Sequence, residues 1–204
     1  MFCATRPACI LSRLAPAKLQ EIEPAIARRR LDRGQVLVRE GEVARSASVV
    51  KIGTVFGRRR SLDGEDRTVS IAGRGTAFGL MGFFEQPTQV SGVAAVPSRI
   101  CDIPHERLRD IAAREPSFAV HMTRTTTASI GLIADWSVGV RVRGVPNQLA
   151  CTLLLMARSQ KTSVLELPTH AALTELLDAT RETIARAFST LRAEGCLKLL
   201  GRRM

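Results

Sequence analysis

From residue 31 to about residue 103 the chain is built of short β-prone runs that glycines interrupt at turn-like intervals. Runs this short and closely spaced favour antiparallel strands, because parallel strands need crossover connections of a dozen or more residues. Asp63-Gly64 lies between two of the runs and is a typical hairpin dipeptide. The segment therefore predicts a compact antiparallel sandwich or roll. The interrupting glycines are Gly34, Gly41, Gly53, Gly64, Gly73, Gly75 and Gly79.

Helical patterns flank this β-rich segment on both sides, which predicts an α+β fold. Residues 19–30 look like a short amphipathic helix that ends in a basic cluster. A second helix is expected after Pro104. A long one is expected over 117–138, although three consecutive threonines weaken its helix propensity. Pro146 stands where the first turn of a further helix tolerates proline.

Residues 168–195 predict two short helices joined by a tight turn. Thr169 and Thr180 are suitable N-caps, and Asp178 suits the bend because aspartate tolerates a left-handed backbone. Gly195 is placed to end the second helix. Two short helices in this arrangement are typical of a DNA-binding helix-turn-helix.

The outward face of the second helix carries the chemistry that base recognition requires. An arginine fork can donate to guanine O6 and N7, and a glutamate can accept from cytosine N4. The formal net charge of +11 suits a polyanionic partner. An ordinary amphipathic helix pair, with a Glu182–Arg186 pair on its surface, is the alternative that the pattern leaves open. The face comprises Arg181, Glu182, Ala185, Arg186 and Ser189.

TRETIAR at 180–186, followed by FSTLRAEG at 188–195, resembles the recognition helix of the Crp/Fnr family of transcription regulators. The resemblance extends over nearly the whole chain. Upstream, ASVVKIGTV resembles a strand of the family's β-roll, and GTAFGLMGFF resembles the turn that follows. Asp178 stands in place of the family's turn glycine, and Ala77 replaces an aspartate.

The resemblance implies a fold and a domain order. An N-terminal antiparallel β-roll, like that of cyclic-nucleotide-binding domains, would precede a long dimerisation helix and a C-terminal winged helix-turn-helix. The expected segments are a cysteine-containing arm at 1–18, the β-roll sensor domain at 19–115, the dimerisation helix at 116–140 and the DNA-binding domain at 141–204.

The resemblance also implies partners. These are double-stranded DNA, a second copy of the chain joined along the long helix, and RNA polymerase. The single Trp136 is expected in the dimer core. The family's base-contacting positions fall on Arg181, Glu182 and Arg186, and the full predicted DNA-binding set is Thr169, Thr180, Arg181, Glu182, Ala185 and Arg186.

Cyclic AMP is not expected as the ligand. The family's cyclic-nucleotide site uses a Gly-Glu pair for the ribose and an Arg-Ser pair for the phosphate. This chain has Gly79-Leu80 and Val90-Ser91 at the matching positions. It therefore lacks the carboxylate and the guanidinium, which supply the strong charge-assisted contacts.

Three cysteines resemble ligands of the family's oxygen-sensing fumarate-nitrate branch. Cys3 and Cys9 match its C-x5-C spacing, and Cys101 in RICDIPHERL resembles its distant ligand. The resemblance implies a 4Fe–4S cluster, which thiolates usually hold by four ligands. The fourth ligand is not identified, and Cys151 and Cys196 are poor substitutes. Thiol-based redox sensing, an unknown ligand, or an interaction module with a degenerate DNA-binding domain are the alternatives.

The sequence does not support an assignment as an enzyme, a secreted protein or a membrane protein. The chain contains no P-loop, G-x-S-x-G or H-E-x-x-H motif, so we do not expect an enzyme. It has no signal-peptide pattern and no run of about 20 apolar residues that could span a membrane. We expect a cytoplasmic protein whose five cysteines are thiols or metal ligands and not disulfides.

Overall fold

The computed structural model describes residues 3, 5–198 and 200. Its N-terminal half contains two four-stranded antiparallel sheets, with strand orders β1-β8-β3-β6 and β2-β7-β4-β5. The predicted antiparallel roll is therefore confirmed. The strands are β1 (Ala27–Leu31), β2 (Val36–Val38), β3 (Ser46–Ile52), β4 (Val55–Arg60), β5 (Asp66–Ala72), β6 (Ala77–Phe78), β7 (Ser91–Ala94) and β8 (Ser98–Pro104).

Helices surround the roll and form the C-terminal part, which confirms the α+β class. None of the helices in the described part of the chain is long and apolar enough to cross a membrane. The helices are α1 (Pro16–Ile22), α2 (His105–Arg114), α3 (Pro116–Gly139), α4 (Val145–Gln160), α5 (His170–Leu177) and α6 (Arg181–Ala193).

The predicted hairpin at Asp63-Gly64 joins β4 to β5. The Gly64 N–H donates to the Ser61 carbonyl, and the Ser61 N–H donates to Glu65 across the turn. Gly64 has φ +86°, a left-handed conformation that glycine adopts without steric cost. Strand β5 of this hairpin contacts α3, α4 and α5.

The helix predicted over 19–30 is wrong in its second half. Helix α1 ends at Ile22, a 3₁₀ turn covers Glu23–Ala25, and strand β1 follows. Pro24 lies inside that turn, where its ring and missing N–H oppose continuation of the α-helix. The basic cluster Arg28–Arg30 consequently lies on a strand paired with β8.

The long helix α3 is confirmed, and its threonines are accommodated locally. The hydroxyls of Thr125, Thr126 and Thr127 each donate to the carbonyl four residues earlier. These bonds satisfy the hydroxyls within the helix itself. The threonines therefore lower the propensity without interrupting the helix.

Trp136 is expected in the dimer core, but it is buried within its own protomer. The side chain is only 4% exposed within its own protomer, where it joins a core that includes Phe56, Ile71 and Leu149. Its indole N–H donates to the Thr68 carbonyl at 3.4 Å. Trp136 therefore packs between the roll and the C-terminal helices, because α3 crosses β5 at this point.

The N-terminal arm packs on the outer face of the sheet β1-β8-β3-β6. Ile10, Leu11 and Leu14 are buried, in one apolar cluster with Val49 and other residues of the roll. The Thr5 hydroxyl donates to the Lys51 carbonyl at 3.0 Å. The apolar side chains of the arm thus anchor it to the roll.

The wing of the predicted winged helix-turn-helix is absent from the described residues. No strand is present between α4 and α5, and none is formed by residues 196–198 or Leu200. Leu199 and residues 201–204, including Arg202 and Arg203, lie outside the described part. The helix-turn-helix itself is present.

Candidate nucleic-acid interface and sensor site

Hydrogen bonds fix the ends of α5 and α6 as predicted. The Thr169 hydroxyl accepts from the Ala172 N–H at 3.1 Å, and the Thr180 hydroxyl accepts from the Thr183 N–H at 3.2 Å. Asp178 adopts φ +47° at the end of α5. Each cap satisfies one of the N–H groups that the first turn of a helix leaves unpaired.

The inner face of α6 is held by the core of the C-terminal domain. Ile184 and Leu191 are buried together with Leu173 of α5. Phe188 is partly buried, and its ring stacks on His170 with centroids 5.6 Å apart. Because this face is fixed, the rotation of α6 about its own axis is fixed too.

The opposite face of α6 presents Arg181, Glu182, Ala185 and Arg186 to solvent. The pKa of Glu182 is lowered, first by a hydrogen bond from its own backbone N–H and then by the Thr180 hydroxyl, with Arg181 and Arg186 adding to the effect. These contacts favour the ionised form of Glu182, which can only accept hydrogen bonds. The Arg186 guanidinium donates a hydrogen bond to the Thr183 hydroxyl at 3.4 Å.

The three cysteines implied as ligands lie close enough for their charges to interact. Burial raises the pKa of the Cys9 thiol to about 11, and charge on Cys101 or Cys3 would raise it further. Burial also raises the pKa of Cys101, while Lys51 and Arg28 oppose the shift. Cys101 lies on β8, and Cys3 and Cys9 lie on the arm that covers this sheet.

Their arrangement is not a ligand set. Within the described residues, no group of three or more His, Cys, Asp or Glu side chains is placed to hold a metal ion. Cys151 lies in α4, and Cys196 is exposed after α6. The structure thus brings the three thiols to one face of the roll, and residues 3, 5–198 and 200 supply no fourth ligand there.

The positions matching the family's cyclic-nucleotide contacts are occupied by the chain's own interactions. The Ser91 hydroxyl accepts from the Glu40 N–H at 2.9 Å. Val90 packs against the apolar core between the sheets. Gly79 has φ +74° and precedes a short 3₁₀ helix that begins at Leu80. The expectation that cyclic AMP is not the ligand stays a prediction.

Sequence models of two protein families match the chain in succession. The model of the cyclic nucleotide-binding domain matches residues 28–115, and that of the Crp-like helix-turn-helix domain matches residues 147–204. The chain belongs to the Crp/Fnr family. The Crp/Fnr proteins are DNA-binding transcription regulators and not enzymes, so this chain is a regulator of the same type, as its sequence predicts.

Similar proteins include a fumarate and nitrate regulator and a cAMP-activated regulator. The fumarate and nitrate reduction regulatory protein of Escherichia coli K12 is 22% identical, over 98% of this chain and 83% of its own length. The CRP-like cAMP-activated global transcriptional regulator of Mycobacterium tuberculosis is 23% identical, over 83% of this chain and 79% of its own. The structure of FixK2 from Bradyrhizobium japonicum has the same fold, with TM-score 0.71, 20% identity, and coverage of 87% of this chain and 90% of that one.

The sequence of this Crp/Fnr chain did not predict two groupings of charged side chains. One is the group of cations around β1 and β8, which the sequence showed only as consecutive arginines assigned to a helix end. The other is the ion pair between Arg58 and Glu175, which are 117 residues apart. Only the pairing of the strands and the docking of α5 bring these groups together.

Proposed function

We propose that this Crp/Fnr regulator recognises specific DNA sequences by placing α6 in the major groove. Arg181 and Arg186 would donate to guanine, and Glu182 would accept from cytosine. Thr169 and Thr180 would lie near phosphates at the helix N-termini, and Ala185 would face the bases. The observation that supports this best is that all the base-contacting candidates share the exposed face of a helix whose other face is buried.

The second part of the proposal is a homodimer formed along α3. Val120, Ile130, Ile133 and Val138 are between 46% and 69% exposed on this helix. Covering such side chains removes apolar surface from water, which stabilises association. Two copies would present two α6 helices to successive major grooves, about one helical turn apart. By family likeness, RNA polymerase would be the protein partner on DNA, and a chromosomal target implies a cytoplasmic location.

DNA recognition is tested by selecting bound duplexes from a random library and measuring their affinity at several salt concentrations. Wild type should enrich a near-palindrome and lose affinity steeply as salt rises. Arg186→Gln should cost about 1–3 kcal/mol on that site and relax its base preference. Arg192→Gln, in the last turn of α6, is the matched control and should keep the preference. If the affinity depended on neither the DNA sequence nor the salt concentration, the result would favour an interaction module with a degenerate DNA-binding domain.

The dimer is tested by sedimentation equilibrium of the full chain. Wild type should sediment as two copies, and Ile130→Glu should shift it to one copy because a charge would be buried at the interface. Val43→Glu is the control, since Val43 is also an exposed apolar residue, 53% exposed, but lies outside α3. An unchanged mass for Ile130→Glu would contradict a dimer formed along α3.

The third part of the proposal is that Cys3, Cys9 and Cys101 form the sensor site. Family likeness makes an iron–sulfur cluster one candidate cofactor, whereas the described residues do not form a metal-ligand set for it. Support for the sensor site comes from the thiol chemistry of the three cysteines, their convergence on one face of the roll and the likeness to fumarate and nitrate regulators. When bound, such a cluster supplies oxygen-labile redox chemistry. The residues of the chain would contribute three thiolates, and burial raises the pKa of two of them, Cys9 and Cys101.

The lack of a ligand set among the described residues favours a second candidate, in which the thiols sense redox state without a cluster. The test measures the iron and sulfide content per protein chain after purification without oxygen. A cluster predicts bound iron in wild type and in Cys196→Ser, and a large loss in Cys101→Ser. Iron near zero in all three proteins would rule out the cluster, and thiol alkylation before and after oxidation would then test the second candidate.

A further inference from the structure

Arg30 and Arg99 face each other directly across the β1–β8 pair. The register places Arg30 opposite Arg99 and Arg28 opposite Cys101, and both arginines of the first pair are exposed. Directly opposed residues of an antiparallel pair project from the same face of the sheet, and like charges in that position are destabilising. The strands pair here in spite of this repulsion.

More cations surround this arginine pair. Arg28, Arg29, Arg30, Lys51 and Arg99, with Ile100, line a cleft of about 210 Å³ on the outer side of the roll. Five positive side chains around so small a volume create a strong local positive potential. The cleft is a concave site and not a flat charged surface.

Carboxylates balance only part of this charge. Arg28 pairs with Glu23 at 2.8 Å, and Arg29 pairs with Asp102 at 2.6 Å. Among the residues that the structure describes, no carboxylate forms an ion pair with Arg30, Lys51 or Arg99. Three cations of one cleft therefore have no acidic partner in the described part of the chain.

We propose that this cleft binds a small multivalent anion of the phosphate class, such as the diphosphate group of a phosphorylated metabolite. Guanidinium forks bind phosphate oxygens in bidentate fashion, and a lysine supplies a compact additional charge. The volume is below the roughly 300–1,000 Å³ of typical ligand pockets, so it suits a phosphate group better than a whole nucleotide. The bound anion would relieve the repulsion between Arg30 and Arg99.

The cleft also adjoins the proposed sensor thiols. Arg28 lies directly opposite Cys101 in the β1–β8 pair, so an anion held by the cleft would lie beside that thiol. This link to sensing rests on the proposed function of the cysteines, whereas anion binding itself does not.

The test uses the full chain and sodium pyrophosphate. Calorimetry should give saturable binding, and pyrophosphate about 100-fold above its Kd should raise the Tm by about 5–10 °C. Sodium chloride of equal ionic strength should not raise the Tm. Arg30→Gln and Arg99→Gln should each weaken binding at least about 10-fold, because each removes a charge-assisted donor. Without ligand, both variants should be at least as stable as wild type, since they remove the repulsion.

Two control variants locate the binding. Arg39→Gln removes another exposed arginine outside the cleft, and Arg186→Gln removes one from the proposed DNA-contacting face. Both should bind pyrophosphate like wild type. The proposal is overturned if chloride reproduces the Tm shift, if Arg99→Gln binds unchanged, or if binding is lost in Arg186→Gln. Because DNA recognition is measured separately, either proposal can fail without the other.

Discussion

Arg58 in β4 forms an ion pair with Glu175 in α5, joining the β4–β5 hairpin of the roll to the first helix of the helix-turn-helix. Two further hydrogen bonds join the roll to the helices that follow it. The Trp136 indole donates to Thr68, and the Gln160 amide donates to the Thr54 hydroxyl at 2.5 Å. The roll therefore holds the C-terminal helices through the side chains of Thr54 and Arg58 and the Thr68 carbonyl, and a change in the roll has a direct path to these helices.

We predict that Glu175→Gln loosens α5 without unfolding the protein. Both partners of the pair are partly exposed, so its loss should lower the free energy of unfolding by only about 0–1 kcal/mol. Amide hydrogen exchange in 170–177 should accelerate, because local opening is easier than global unfolding. Asp63→Asn removes the carboxylate that pairs with Arg67 near the turn of the same hairpin, and as the control it should leave exchange in α5 unchanged. Equal exchange in Glu175→Gln and wild type would show that the ion pair does not hold α5.

The N-cap of α6 should contribute measurably to stability. Thr180→Ala removes the acceptor of the Thr183 N–H and should cost about 1 kcal/mol, or roughly 2–4 °C in Tm. Thr180→Ser retains a hydroxyl and should recover most of the loss. Urea unfolding of the three proteins measures the difference. If Thr180→Ala were as stable as wild type, the cap would not stabilise the helix.

His105 should make stability depend on pH. The ring is 1% exposed, its Nδ1–H donates to the Ala44 carbonyl at 3.0 Å, and Nε2 is buried with no partner in the described part of the chain. Burial lowers the pKa of His105, and Arg109 adds to the effect. The unfolded chain therefore takes up the proton more readily, and stability should fall as the pH drops below about 6.5.

Urea unfolding between pH 7.5 and 5.0 checks this pH dependence. His105→Gln should flatten the profile on the acidic side, because it removes the titrating ring from the core. His170→Gln, at the start of α5, is the matched control and should keep the wild-type slope. A slope that survives in His105→Gln would assign the effect to other groups.

Trp136 should report on the boundary between the roll and the C-terminal helices. As the single tryptophan of the chain, and only 4% exposed, it should show blue-shifted emission and weak quenching by acrylamide. Trp136→Ala should cost about 3–5 kcal/mol, because it leaves a cavity between the two parts. Emission typical of exposed tryptophan in the folded protein would contradict the packing of α3 against β5.

Local rules carried in the sequence determined the elements of this protein and much of its candidate DNA site. Caps at Thr169 and Thr180 and the left-handed bend at Asp178 depend on neighbours within a few residues, so the helix-turn-helix was predictable. Strand length and glycine spacing similarly predicted the antiparallel roll. The helical pattern predicted the wrong structure at 27–30, because these residues pair as part of β1 with β8.

Contacts between distant segments decided the rest. The burial of Ile10 on the roll and of Trp136 against β5 depends on which apolar surfaces meet, and helical periodicity does not specify the partner of a buried face. The approach of Cys9 to Cys101 and the facing of Arg30 and Arg99 likewise follow from strand register and from the docking of the arm. Charges and thiols far apart in sequence become one site only when folding sets the distances between them.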